Sequence, residues 1–315
     1  MTQYVDLPLR NKLGRISFYI IRRVSRFKRQ TTVKERGIME KSKGLVRGWA
    51  PAAVALALIC VVAGVPAQAQ GEKRTVFAPD DFHWQATLKA GQTLEVINTN
   101  GEIDANRASG DAARVAGIRR GGDNNLFVEV VEYADGVTIC AVYAKDKASG
   151  RCHRGGVSSE SGGWSLWHGD RAKINFDVQV PRGVRLNATT TNGSVRCLNL
   201  DSVVEAATTN GNVVVSTSEW ASAKTTNGGV RVSIGNAKWS GELELLTTNG
   251  SVDVTLPASA EFQVHAATTN GGIQSDFPIT VQGRFSPKTL SGTVGGGGRE
   301  LKVTTTNGGI DLKKS

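Results

Sequence analysis

Apolar residues recur along this chain at fixed distances from one four-residue word, Thr-Thr-Asn-Gly. Its Asn falls at Asn192, Asn210, Asn227, Asn249, Asn270 and Asn307, and a variant, Asn-Thr-Asn-Gly, places another at Asn100. A decayed copy, Thr289-Leu290-Ser291-Gly292, puts Ser291 in the Asn position. From Asn192 the steps are then 18, 17, 22, 21, 21 and 16 residues. That is the size of one supersecondary unit in a repeat protein. Six residues before the Asn stand Leu94, Leu186, Val204, Ala221, Leu243, Val264, Phe285 and Leu301. Three after it stand Ile103, Val195, Val213, Val230, Val252, Ile273, Val294 and Ile310, all β-branched. The next position carries Asp104, Arg196, Val214, Arg231, Asp253, Gln274, Gly295 and Asp311, and the one beyond is again mostly apolar. Apolar and polar residues therefore alternate with period two on both sides of an Asn-Gly turn. This predicts two half-buried strands per unit.

The turn glycines are Gly101, Gly193, Gly211, Gly228, Gly250, Gly271 and Gly308. Gly takes positive φ freely and Asn better than most residues, which suits both to a turn. Asn-Gly is also the strongest short hairpin signal, so a row of β-hairpins is one reading. A β-solenoid is the other, in which each unit is a coil stacked on the last. Hairpins do not oblige every unit to share the same two Thr. Stacking does, because identical side chains then lie about 4.8 Å apart and can hydrogen-bond along the axis. The expectation is an all-β solenoid of eight coils, about 40 Å long.

Outside this array the pattern is less regular. Phe82-His83-Trp84 precedes the first unit and is expected to cap the open end of the stack. Residues 106–180 interrupt the repeat, with strands expected at Leu126 to Val131, Val137 to Tyr143 and through Ile174, Phe176, Val178 and Val180. They read either as coils that have lost the word or as a small subdomain. Asp146 to Gly163 reads as an exposed loop. The regular array runs over 181–315. The closing Lys313-Lys314-Ser315 places charge on what reads as the final coil, where it would discourage end-to-end stacking.

Charge changes the picture at the N-terminus. The net charge is +10. Residues 1–69 hold 13 Lys+Arg and 3 Asp+Glu, which accounts for all of it. The rest of the chain balances at zero, so the basic footprint of a nucleic-acid binder is missing. Lys41, Lys43 and Arg47 precede the apolar run Ala52 to Val65, and Ala67-Gln68-Ala69 is a small-x-small cleavage site. Residues 39–69 therefore read as a signal peptide forming a helix, cleaved between Ala69 and Gln70, with 70–315 as the mature solenoid domain. An uncleaved anchor is the alternative, although the run is shorter than the ~20 residues of a spanning helix. Residues 1–38 read as a dispensable or mis-annotated extension, with translation starting at Met39.

Export makes Cys140 and Cys152, which bracket the loop, a candidate disulfide; two free thiols are the alternative. Cys197 occupies an inward position of the array and reads as a buried inert thiol.

The chain resembles a bacterial family of exported, uncharacterised candidate adhesins with a toast-rack, single-stranded β-helix domain. The resemblance rests on the Thr-Thr-Asn-Gly-x-Val units and on the segment from Gly91-Gln92-Thr93-Leu94 to Asn100-Gly101-Glu102-Ile103. The strand Gly136 to Tyr143 and the segment Val180-Pro181-Arg182-Gly183-Val184 add to it. It covers about residues 72–315 and implies a right-handed β-solenoid of 16–22-residue coils located outside the cytoplasm. It brings no catalytic residue.

The residues themselves offer little chemistry. The four His are His83, His153, His168 and His265, none at a metal-ligand spacing, and no nucleophile elbow, phosphate loop or dinucleotide fingerprint occurs. No cofactor and no metal are expected. Because β-helices can cleave polysaccharides, the outward Asp104, Asp253 and Asp311 need weighing. Counted along a continuous array, Asp253 and Asp311 are three units and ~14 Å apart. That is too far for the ~5–9.5 Å of paired glycosidase carboxylates. Arg231, one coil before Asp253, is expected to pair with it. The expected role is a non-enzymatic envelope-binding, adhesin-like or scaffold protein of the periplasm or cell surface, with a polysaccharide-active enzyme as the alternative. Its partner would be a glycan or an envelope protein, and the mature domain would not span a membrane. Trp164 and Trp167, beside the long loop, are the expected ligand patch.

Overall fold

The alternation becomes strands in two different sheets. A computed structural model describes residues 72–121, 126–143, 150–159, 172–239, 242–281 and 286–315, all within one contact unit, Gly64–Ser315. The extension 1–38, the signal segment 39–69, the Ala69–Gln70 junction, Phe285, Trp164 and Trp167 lie outside the described residues. No helix of the described residues is long and apolar enough to cross a membrane.

The first strands are β1 (Lys73–Phe77), β2 (Phe82–Thr87), β3 (Thr93–Ile97) and β4 (Ile103–Arg107). The irregular region supplies β5 (Ala112–Arg120), β6 (Leu126–Tyr133), β7 (Gly136–Tyr143), β8 (Gly150–His153), β9 (Gly156–Ser159) and β10 (Lys173–Val180). The array opens with β11 (Arg185–Thr189), β12 (Val195–Leu200), β13 (Val204–Ala207) and β14 (Val213–Thr217). It continues with β15 (Ala221–Lys224), β16 (Val230–Ile234), β17 (Glu242–Leu246) and β18 (Val252–Leu256). The chain closes with β19 (Phe262–Asn270), β20 (Ile273–Ser275), β21 (Thr289–Val294), β22 (Arg299–Asn307) and β23 (Ile310–Lys314).

One sheet has the order β1-β6-β7-β3-β11-β13-β15-β17-β22-β19-β21, the other β2-β5-β10-β4-β12-β14-β16-β18-β23-β20. We call them A and B. From β11 to β18 the chain alternates between A and B, and each strand pairs in parallel with its counterpart one unit on. The two strands of a unit never pair with each other. That rules out the hairpin row and makes Asn-Gly the corner of a coil. The residues six before and three after each Asn meet between the sheets, where Leu94, Leu186, Leu243, Leu301, Ile103, Val195 and Ile310 are fully buried.

The corners stack more tightly than the strands. A Cβ on Gly193, Gly211, Gly228, Gly250 or Gly308 would stand 2.0–2.1 Å from the carbonyl oxygen of the preceding coil's glycine. No side chain fits there, and the φ values of +152° to +159° disfavour one independently. The first Thr of the word turns inward and donates to that same carbonyl. Thr208 reaches Gly193 O, Thr225 reaches Gly211 O and Thr247 reaches Gly228 O, at 2.8–2.9 Å. In the first unit Asn98 takes the Thr place and donates to Ile174 O at 2.7 Å. Beside these bonds runs an asparagine ladder, each Nδ2 donating to the Oδ1 of the coil before it in the stack. It passes through Asn100, Asn192, Asn210, Asn227, Asn249, Asn307 and Asn270 at 2.7–2.9 Å.

That order differs from the sequence order. The last unit, β22–β23, lies between the Asn249 unit and the Asn270 unit, parallel to both. Lys313 and Lys314 are therefore not on an end coil. Nor is the Ser291 copy a coil. Its strand, β21, runs antiparallel along the outer edge of β19. The irregular region is part of the stack: β7 and β10 run parallel to β3 and β4, while β5 and β6 run in reverse. Sheet B thus has ten strands rather than the expected eight, spanning about 43 Å. Aromatic rings plug both ends. Phe82 meets Phe77 and Phe176 at 5.3 and 6.1 Å, and Phe262 meets Phe277 and Trp239 at 5.4 and 6.2 Å.

Three variants test this arrangement. Asn227→Ala breaks two ladder bonds and should cost ~1–3 kcal/mol in denaturant unfolding. Gly228→Ala should cost more, because its Cβ meets backbone rather than a movable side chain. Removing Arg299–Ser315 deletes an interior coil, so hydrogen exchange should show β19–β21 losing protection along with it. Unchanged protection there would contradict the strand order.

Candidate binding face

The ladder residues are on a surface but largely spent. Each interior Asn uses its amide oxygen on one neighbour and its amide nitrogen on the other. The inward Thr hydroxyls are used as well. The corner explains the word as structure, and contact chemistry has to be sought on the outward positions of the sheets.

On sheet B the outward row reads Asp104, Arg196, Val214, Arg231, Asp253, Asp311 and Gln274 on successive strands. Asp104 pairs with Arg196 at 3.4 Å, and Arg231 with Asp253 at 3.4 Å, the cross-coil pair expected from the sequence. The expected ~14 Å between Asp253 and Asp311 does not hold. Because the last unit is inserted beside the Asn249 unit, the two aspartates are direct cross-strand neighbours. Lys313 Nζ spans them, 2.9 Å from Asp253 and 3.9 Å from Asp311. Burial pushes the Asp253 carboxyl up, but the Lys313 hydrogen bond and charge and the Arg231 charge outweigh it and hold it below 3.8. A glycosidase needs one carboxylic acid with a raised pKa. Asp253 is shifted the wrong way for that role.

The outer face of sheet A is different at β6–β7. These strands are buried on both sides, unlike the alternating strands of the array. Ile97, Phe127, Val131 and Val142 form a second apolar cluster, on which Cys152 of the β8–β9 hairpin rests. Cys140 and Cys152 form a disulfide with Cα atoms 5.7 Å apart. The buried Glu129 carboxylate accepts from Cys152 N at 2.7 Å and from Arg74 Nη1 at 2.8 Å. Arg154 of the hairpin turn binds Asp135 and lies 4.3 Å over the Tyr133 ring. The hairpin is thus tied down by one covalent and several polar contacts. Cys197 is fully buried, and burial first, with the Asp104 charge adding, pushes its thiol up to about 12. It is inert, as expected.

The sequence-level ligand patch, Trp164 and Trp167, falls outside the described residues. Phe82 and Trp84 point into the core and His83 points out, where it meets Asp81 at 2.8 Å. His83 opens onto a hollow of about 430 Å³ on the outer face of sheet B, lined also by Gln85, Arg114, Ile118, Asp177 and Gln179. Sequence reasoning missed this hollow. Alternation alone marks these residues as outward, but only the antiparallel pairing of β5 with β2 and β10 brings them together.

A family profile described as Toastrack DUF4097 matches residues 85–313. No curated protein gives a significant match. Among solved structures, the chain aligns with a candidate cell adhesion protein from Clostridium sporogenes at 12% identity, covering 75% of this chain and 100% of that one, with a TM-score of 0.39. A candidate adhesin from Bacteroides fragilis aligns at 10% identity, covering 75% and 99%, with a TM-score of 0.28. At these scores neither structure carries an argument about function.

The depressed Asp253 carboxyl contributes stability that is present above the ordinary value of 3.8 and lost as pH falls through the folded value. Asp253→Asn should therefore be less stable than wild type at neutral pH, by at most ~1 kcal/mol for so exposed a cluster. The difference should shrink toward zero as the pH falls below 3.8, read by chemical unfolding at each pH.

Proposed function

The chain belongs to the Toastrack DUF4097 family, and from that premise we propose that it is an exported, non-enzymatic binding protein of the cell envelope. The observation that carries the proposal is the outer face of sheet B, ten strands wide among the described residues, seven of them joined at their corners by the asparagine ladder. A surface that does not rearrange loses little entropy on binding an extended partner. The Cys140–Cys152 disulfide fits an oxidising compartment outside the cytoplasm. In this reading residues 39–69 direct export, the mature chain begins at Gln70, and the coils wind right-handed, the hand favoured by parallel β crossovers. The ligand is a glycan or another envelope protein.

One observation favours the enzyme alternative: Asp253 and Asp311 lie side by side on β18 and β23. Lys313 between them and the low pKa of Asp253 weigh against acid catalysis.

Protease shaving of intact native cells, with fractionation, tests the location. Array peptides should be released from intact cells or only after the outer barrier is opened, and the N-terminal peptide should start at Gln70. Recovery in the cytosol with residues 39–69 attached would overturn the proposal. Incubation with a polysaccharide panel should produce no new reducing ends; if they form and disappear in Asp253→Asn, the enzyme reading replaces this one.

A further inference from the structure

The hollow on sheet B exists because of one small side chain. Ala116 on β5 stands opposite His83 on β2 and opposite Asp177 on β10. Arg114 and Ile118 flank it along its own strand. Four larger side chains therefore ring an alanine, and the dish between them, about 430 Å³, falls within the size of small-ligand sites.

Its rim is ordered by type. Arg114 lies between two glutamines that face it across the sheet. It donates through Nε to Gln85 Oε1 at 3.0 Å and through Nη1 to Gln179 Oε1 at 3.4 Å. Neither bond uses Nη2, and each glutamine keeps an amide N–H₂ beside the guanidinium. This end therefore gathers the free Nη2 of Arg114 and two amide N–H₂ groups. Diagonal to Arg114, and directly opposite Ala116, is the exposed Asp177 carboxylate, an acceptor that forms no ion pair among the described residues. At the far end Ile118 is 56% exposed, more than any other large hydrophobic side chain among the described residues.

Clustered donors, an acceptor about 7–8 Å away along the diagonal, and an apolar floor at Ala116 beside both select a particular ligand. A planar carboxylate suits the Arg114 end, because a guanidinium binds it through parallel N–H bonds. Hydroxyl groups suit Asp177. A ring with C–H groups on one face suits Ala116 and Ile118. One sugar acid carries all three on a single pyranose.

We propose that this hollow is a subsite for a uronic acid residue of an acidic polysaccharide. The inference rests on the envelope-binding reading above and names the ligand class for it.

The test uses the protein purified from its native cells and titrated calorimetrically with a short oligogalacturonate. A neutral galacto-oligosaccharide of equal length serves as control. The oligogalacturonate should bind, and the neutral sugar should bind at least about 10-fold more weakly. Arg114→Gln should lose about 10-fold in affinity, with Arg114→Lys recovering part of it. Ala116→Leu fills the dish without changing its charges and should abolish binding. Both positions face outward, so circular dichroism and melting should match wild type. Equal affinity for the neutral sugar, or unchanged affinity in a folded Ala116→Leu protein, overturns the inference. A pull-down with native envelope polysaccharide separates the two levels. If wild type and Ala116→Leu are retained equally, the hollow is refuted and the envelope reading stands. If wild type is not retained and does not bind oligogalacturonate, the inference falls and the glycan form of that reading falls with it.

Discussion

The whole array depends on how closely one glycine corner lies on the next. A Cβ on Gly228 would stand 2.0 Å from Gly211 O, so the contact is backbone against backbone. The half-buried carbonyl still needs a partner, since a carbonyl left unsatisfied away from water costs about 1–3 kcal/mol. The Thr225 hydroxyl supplies it. Asn227, one residue before the corner glycine, then joins its neighbours on both sides. Each residue of Thr-Thr-Asn-Gly except the outward second Thr is thereby accounted for by a single contact. The register of both sheets follows, because the corner fixes where each strand begins.

Repetition of one corner leaves two problems, the ends and the irregular coils. An end coil exposes the apolar interior, and the rings of Phe77, Phe82 and Phe176 at one end and Trp239, Phe262 and Phe277 at the other cover it. Trp239 Nε1 also donates to Glu300 O, and Arg299 Nε donates to Trp239 O, closing the seam around the inserted last coil. Toward the other end, β6 and β7 carry apolar residues on both faces, so a second layer is required. The disulfide-tied β8–β9 hairpin contributes Cys152 to it. Among the described residues the two outer faces therefore differ: sheet A carries the β8–β9 hairpin, and no described element packs on the outer face of sheet B.

This asymmetry locates the place where binding can occur. The ladder asparagines have spent their amides on one another, and the charged row through Arg231, Asp253, Asp311 and Lys313 is largely self-neutralised. The hollow around Ala116 is different, since Asp177 there forms no ion pair among the described residues and Ile118 is exposed. The interruption of the repeat, rather than the repeat itself, creates it. It forms where β5 runs against the direction of the coils and puts small and large outward residues side by side.

Strand alternation, the corner residues, the inward faces, the buried Cys197 and the pairing of Arg231 with Asp253 were all legible in the order of the residues. Each is a local matter, set by period-two alternation or by the steric demands of a single word on the coil beside it. Tertiary structure alone decided the order of the coils. The Asn307 word fits against Asn249 as well as against Asn270, because both neighbours present the same carbonyl, glycine and amide, so no local signal distinguishes first from last. From that order follow the contact of Asp253 with Asp311, which counting along the chain put far apart, and the loss of Lys313 and Lys314 from the end of the stack. The same holds for the hollow. Ala116, His83 and Asp177 are outward residues on three strands distant in sequence, and only antiparallel pairing over long separations sets them around one small side chain.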